Sequence, residues 1–433
     1  MTSIDLLPIA AALTSFYILK KTSNPLNLFN PYVYFYWAYF IFCFIAVLYR
    51  DIYSYALSIS NQTITLISLG IILYSAGGSI ANHASPSRTA KKTIEQLISE
   101  ASQKIPTNKY LVYLSISVPI FFSLLFTVKT GQILWLSDSF DDERVILRQG
   151  IGWISLLGIS SAYLATIYSS IHFYKRRENI KLLISIIILA TCSISYGNRA
   201  PALEVIVVGG FFAWISLIGR VKALHFLAGF LSLLTFVMVL GVIRQGLEFN
   251  FESIYKQMLW RPFTNIQNIE WITSFIPNSH DFFYGNSLII DIAVILPGYQ
   301  PNFGTYMKEI MGKDFSGGSI TVSFLGQAYA DFGFTFSLFV ISLFGYIFQK
   351  FFLILSKNGK NLPLLIVISI TSKSMASSGI ISPLIYTLLP CLIFLASWIG
   401  LRQILRATEI LHTPTTLSSN PTSRINIPST PPT

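Results

Sequence analysis

Charged residues are scarce in this sequence. Asp, Glu, Lys and Arg make up 11% of its 433 residues, where a water-soluble domain carries about 25%. That shortage excludes an ordinary soluble globule, because too few charges remain to hydrate its surface. Cysteine is nearly absent as well. Cys43, Cys192 and Cys391 each fall inside an apolar run, which excludes a disulfide framework and a zinc-binding cysteine pattern. Histidine occurs five times, and no His, Cys, Asp or Glu cluster has metal-ligand spacing. No metal and no cofactor is therefore expected. There is no internal repeat. The first apolar stretch, Ile4 to Leu19, lacks a basic flank and a small-residue cleavage site, so it reads as a first span rather than a cleaved leader.

What the chain has in abundance is apolar surface. It is 53% hydrophobic, with a mean hydropathy of +0.60. The apolar residues come in runs near the ~20 residues needed to cross a bilayer. The runs lie at 3–19, 31–49, 62–82, 110–128, 151–173, 182–196, 201–219, 223–242, 332–349, 362–381 and 383–401. The pattern predicts an all-α, polytopic integral membrane protein of about eleven transmembrane helices, with the lipid bilayer as its first partner.

Orientation follows from the Lys and Arg bias of the short loops. One set of loops holds 19 of the 30 basic residues and 4 of the 19 acidic ones, a net +15 against −4 for the rest of the chain. The basic set is assigned to the cytoplasmic side, which places the N-terminus outside. The net charge of +11 is thereby explained without nucleic acid as a partner.

The chain then divides into spans 1–8 (1–242), an extracytoplasmic loop (243–318), spans 9–11 (319–406) and a tail (407–433). From Thr413 onward the tail is rich in Pro, Ser and Thr and is expected to be disordered. The 76-residue loop at 243–318 far exceeds ordinary connections. Its composition is not that of a disordered segment. NFESIYKQMLWRPF reads as a helix bounded by Pro262, and SLIIDIAVILPG as a short helix lying at the outer interface. On the opposite side, TAKKTIEQLISEAS reads as a short polar helix.

The candidate chemistry lies at the outer ends of the spans. Arg199 occupies a tight turn, SYGNRAP, with Pro201 at the favoured start of the next helix. A guanidinium beside a helix N-terminus is suited to a phosphate; a lipid-anchoring arginine is the plain alternative. Arg148 and Arg244 stand at neighbouring span ends, with Arg144 and Arg261 further along the loops. Gly317 and Gly318 form a turn before Ser319, which is expected to cap the following helix; such a Gly-rich turn at a helix N-terminus makes the three a candidate phosphate cradle, with a purely structural turn as the plain alternative. His280, alone among the histidines on the outer side, and the acids Glu270, Asp281, Asp291 and Asp331 are candidates for a general base. Asp141, Asp142 and Glu143 read first as the cap of a short loop helix, with divalent-metal binding or a role as base as the alternatives. Glu204, one turn into its span, is expected to pair with Arg199 or Arg244.

These features together resemble the bacterial O-antigen polymerases of the Wzy type. The resemblance covers roughly residues 110–350. It rests on the many spans, the long outer loop between late spans, the NRAP turn, ERVILRQGIGW (Glu143 to Trp153), and GGSITVSFLGQAYADFGF ahead of the next span. It implies a metal-independent glycosyltransferase of the bacterial inner membrane. Such an enzyme joins polyprenyl-diphosphate-linked oligosaccharide repeat units at the outer face, alongside a flippase and a chain-length regulator. It implies diphosphate-binding roles for Arg148, Arg199, Arg244 and Arg261. The family often carries an acid where this chain has Gln327, and Asp331 is then the substitute. A polysaccharide ligase and a flippase are the rival readings.

Overall fold

Helices begin where the sequence supplies a side-chain cap. Asn30 accepts from Tyr32 N ahead of Pro31, and Ser60 accepts from Thr63 N. Thr93 and Gln96 form a reciprocal capping box, and Asn108, Asn302 and Ser323 cap three further starts. Each satisfies an N–H that the helix itself leaves open. The computed structural model describes residues 3–48, 58–85, 92–105, 108–132, 150–197, 199–218, isolated positions between 222 and 239, 250–296, 301–314 and 319–412.

Within these residues every regular element is helical. In chain order they are α1 (Ser3–Thr22), α2 (Pro31–Leu48), α3 (Asn61–His83), α4 (Ile94–Lys104), α5 (Lys109–Thr130), α6 (Gly152–Arg176) and α7 (Asn179–Ile194). They continue as α8 (Arg199–Ile218), α9 (Phe251–Phe275), α10 (Asn286–Ala293), α11 (Phe303–Ile310), α12 (Phe324–Leu355), α13 (Leu362–Ser378) and α14 (Leu389–His412). Among the described residues six helices are long and apolar enough to cross a membrane: α2, α3, α5, α6, α8 (over Ala200–Leu217) and α12. Of the expected span at 223–242, nine positions are described, all helical, and the other eleven lie outside the described residues.

Among the described residues the bundle has two large apolar cores and smaller satellite clusters. The first is built from α1, α2, α3, α9, α11 and α12, with residues such as Tyr36, Ile67, Ile269, Met307 and Ile341. The second is built from α4 to α8 and α14, with residues such as Ile98, Val112, Ala165, Leu189 and Val208. Helix α13 passes from one to the other. Its Leu362, Ile366 and Ile370 belong to the second core, and its Met375 and Ala376 to the first.

Within the first core, α3 and α12 touch backbone to backbone. A Cβ on Gly77 would stand 1.9 Å from Ser342 O, and one on Gly345 would stand 2.1 Å from Tyr74 O. Small residues let membrane helices approach this closely. Aromatic stacking holds α2 against α3, with Phe35 and Tyr74 ring centroids 4.5 Å apart.

Two elements differ from expectation. Pro262 does not end a helix; it lies inside the 25-residue α9. Phe263, Ile266, Ile269 and Ile272 are all buried along that helix, and this packing outweighs the one backbone bond a proline removes. The start of α2 is sunk into the bundle rather than placed at a surface. Ser369 Oγ donates to Phe29 O and Ser372 Oγ to Pro31 O, each at 2.9 Å. Ser372 is ten residues into α13, about 15 Å along the helix. Non-helical backbone is tolerated at that depth because protein hydroxyls satisfy it.

Candidate functional site

Helices α9 to α11 cover one end of the bundle, hereafter the capped end. Glu270 on α9 accepts from Ser60 N (3.0 Å) and Ser60 Oγ (2.9 Å) at the start of α3. Thr273 and Thr63 pair their hydroxyls at 2.8 Å. Asn268 Nδ2 donates to Thr321 Oγ1 at 2.9 Å, just before α12. Glu270, one of the expected acids, is thus a cap-to-bundle anchor.

Asp331 sits two residues before a break in α12, where Gly333 has φ 71° and ψ −171°. Its carboxylate is fully buried. One oxygen accepts from Gly285 N (3.1 Å) and Ser287 N (3.2 Å), and the other from Ser287 Oγ (2.5 Å). These are the N–H groups at the start of α10, so Asp331 caps that helix from outside it. The carboxylate expected as a candidate base is thus sealed from solvent and occupied by three donors in this structure.

Asp291, on α10, is held in a similar way. It accepts from Phe303 N (2.9 Å) and Gln327 Nε2 (3.0 Å). Burial raises its carboxyl above the ordinary range, partly offset by those donors. The other end of Gln327 accepts from Ile380 N at 2.5 Å, beside Gly379, whose φ of 93° ends α13. A neutral amide at position 327 therefore bridges a carboxylate and a backbone donor, which an acid there does not do.

His280 is half-buried at the surface of the cap. Its ring stacks on Phe283 at 4.7 Å and 15° and on Phe275 at 6.1 Å and 24°. Its Nδ1 lies 2.6 Å from Asp281 O. A donating Nδ1–H places the neutral ring's lone pair on Nε2, which is the proton-accepting form. The loop carrying it is tied to α12 by Phe283 N to Ala330 O (3.0 Å) and Tyr284 N to Asp331 O (3.1 Å).

Of the arginines, Arg199 is the first residue of α8 and Arg261 lies within α9. Arg148 and Arg244 lie outside the described residues, as do Gly317, Gly318, Arg144 and the 141–143 acids. Ser319 is described and half-buried, but it does not cap α12. Ser323 does, accepting from Gly326 N at 3.1 Å, because residues 319–322 run extended across the cap, with Ile320 N donating to Gly304 O.

The strongest charge arrangement is inside the bundle. Glu204 on α8 is half of a buried ion pair, while the Arg199 side chain and Arg244, the partners expected for it, lie outside what the structure describes. Its Oε1 lies 2.5 Å from Lys373 Nζ on α13, and its Oε2 accepts from Tyr34 Oη on α2 at 2.6 Å. Glu204 is 3% exposed and Lys373 16%. Lys373 also stands 5.7 Å above the Phe42 ring. The lysine falls on α13 between Ile370 and Met375, where that helix passes between the two cores. Neither partner is near the other in sequence. The available signal was one isolated acid and one isolated base, each inside an apolar run, which must find each other or remain unpaired in hydrocarbon.

No protein-family model, curated protein or solved structure matches the chain.

Proposed function

We propose that the protein is a membrane-embedded glycosyltransferase of eleven spans. It extends polysaccharide by joining polyprenyl-diphosphate-linked oligosaccharide repeats at the outer face of a bacterial inner membrane. The observation that carries this reading is the capped end. Residues 250–296 and 301–310 fold as helices packed onto the bundle. Towards that end Glu204, in the first turns of α8 whose first residue is Arg199, reaches Lys373, which stands over the Phe42 ring, and Phe42 O in turn accepts from Asn265 of α9. A helix N-terminus that bears an arginine, at a bundle end that carries a folded cap, suits a diphosphate whose lipid stays in the bilayer. Arg199, with Arg148, Arg244 and Arg261, neutralises charge on the departing diphosphate, and His280 takes the acceptor hydroxyl's proton.

The test is polymer formation from purified lipid-diphosphate repeat units, with protein levels matched. Arg199→Ala is expected to reduce the rate by about 100- to 1,000-fold, the loss that follows removal of one oxyanion-type donor. Arg199→Lys keeps the charge but loses the two-pronged geometry, so it is also expected to be impaired. Full activity in both variants overturns the reading. Orientation is checked separately. Asn278→Cys should react with an impermeant maleimide from outside, and Lys360→Cys only after permeabilisation.

One observation favours a second reading. A lysine–glutamate pair inside the spans and an interrupted helix at Gly379 are features of transporters. A flippase moves repeat units across proteoliposomes without lengthening them, and that product distinguishes it from a polymerase.

A further inference from the structure

We infer that the Glu204–Lys373–Tyr34 cluster is a positioning latch that sets the depth and rotation of α8, and so places its first turn, where Arg199 lies. This role rests on the anion-binding reading of that turn. Three helices meet at one carboxylate: α8 supplies Glu204, α13 supplies Lys373 and α2 supplies Tyr34. Tyr34 and Lys373 bring in the first core and the changeover point of α13, while α8 belongs to the second core.

Apolar side chains alone would fill this seam. Replacing a buried ion pair by well-packed apolar residues is often neutral or stabilising, so holding the seam closed does not require charge. Charge adds position. Apolar helix faces slide and rotate at little cost, whereas a 2.5 Å ion pair and a 2.6 Å hydrogen bond on the two oxygens of one carboxylate permit one placement. Arg199 is five residues before Glu204, about 7.5 Å along the axis. A carboxylate pinned at that distance fixes the turn that carries the arginine. Further along α8, Phe211 and Phe212 pack on Phe29 with ring centroids 5.1 and 5.2 Å away. Phe29 belongs to the sunk segment ahead of α2, so α8 is gripped against the same element at a second level.

The latch is tested with two readouts on detergent-purified full-length protein. The first is the rate at which an impermeant maleimide labels Ala200→Cys, an exposed position on the first turn of α8. The three native cysteines are buried. The second is binding of farnesyl diphosphate. Glu204→Gln and Lys373→Met are each expected to change the labelling rate at least fivefold. Each is also expected to weaken farnesyl diphosphate binding at least tenfold in the fraction that elutes as folded protein. The charge-reversed pair Glu204→Lys with Lys373→Glu is expected to return both readouts to within about twofold of wild type. A purely stabilising pair predicts a smaller folded fraction with normal labelling and normal binding in what remains; that result overturns the latch. So does a reversed pair no better than the single variants. If wild-type protein binds no farnesyl diphosphate, the proposed function falls, and the labelling rates alone decide whether the cluster positions α8.

Discussion

Glu100 and Glu204 both hold lysines, in two regions of the molecule that treat charge differently. Glu100 lies on the polar helix α4, paired with Lys92 and with Lys104 one turn on. Those lysines are 33% and 44% exposed, and Lys92 also donates to Lys357 O at 2.8 Å. Glu204 lies among three apolar helices with a single lysine that is 16% exposed. Water shares the work around Glu100, so losing a partner there leaves the carboxylate hydrated. Around Glu204 no such substitute is at hand, and a lost partner leaves a buried charge. The same pair of residue types can be split at little cost in one place and only at a large cost in the other.

The largest effect should come from breaking the buried pair. Lys373→Ala is expected to destabilise the protein by about 3–5 kcal/mol, the usual result of stranding one buried charge. Thermal unfolding in detergent measures it. Replacing both partners, Glu204→Met with Lys373→Met, should recover most of that loss. A double variant as unstable as the single would show that the penalty is not electrostatic.

Tyr34→Phe tests the third member of the cluster. It leaves the ion pair but removes a hydrogen bond to a charged acceptor, for an expected loss of about 1.5–3 kcal/mol. If the melting temperature does not move, Tyr34 is a packing residue only.

The smallest effect is expected at the exposed pair. Glu100→Gln should cost under about 1 kcal/mol, falling further in high salt. Its pH dependence has a definite sign. Hydrogen bonds from Lys104 and Lys92 lower the Glu100 carboxyl from 4.5 to about 2. Its contribution is therefore fully present above pH 4.5 and is lost as pH falls toward 2. Protection of the α4 amides, taken relative to the intrinsic exchange rate at each pH, should fall over that window in wild type and stay flat in Glu100→Gln. Equal acid sensitivity in both would remove Glu100 as the cause.

Local features of this protein were legible without a structure. The polar helix at 94–104 followed from TAKKTIEQLISEAS, and its capping box is a contact three residues long. The segments at 62–82, 110–128 and 151–173 match α3, α5 and α6 within a few residues, because a helix satisfies its backbone inside its own segment. The expected span at 332–349 covers only part of α12, which starts earlier, at Phe324 behind the Ser323 cap, and is broken at Gly333.

Composition and spacing thus determined that the chain is helical and membrane-type, and where most of its helices begin and end, since those properties depend on residues a few positions apart. Tertiary structure decided which charges meet. Tyr34 and Glu204 are 170 residues apart, and only the packing of α2, α8 and α13 brings them to one carboxylate. The same packing set the Asp331 carboxylate against the first turn of α10 and carried α9 through Pro262. A charge or a polar group in an apolar setting binds whichever partner the fold brings within about 3 Å, and sequence distance does not encode that approach.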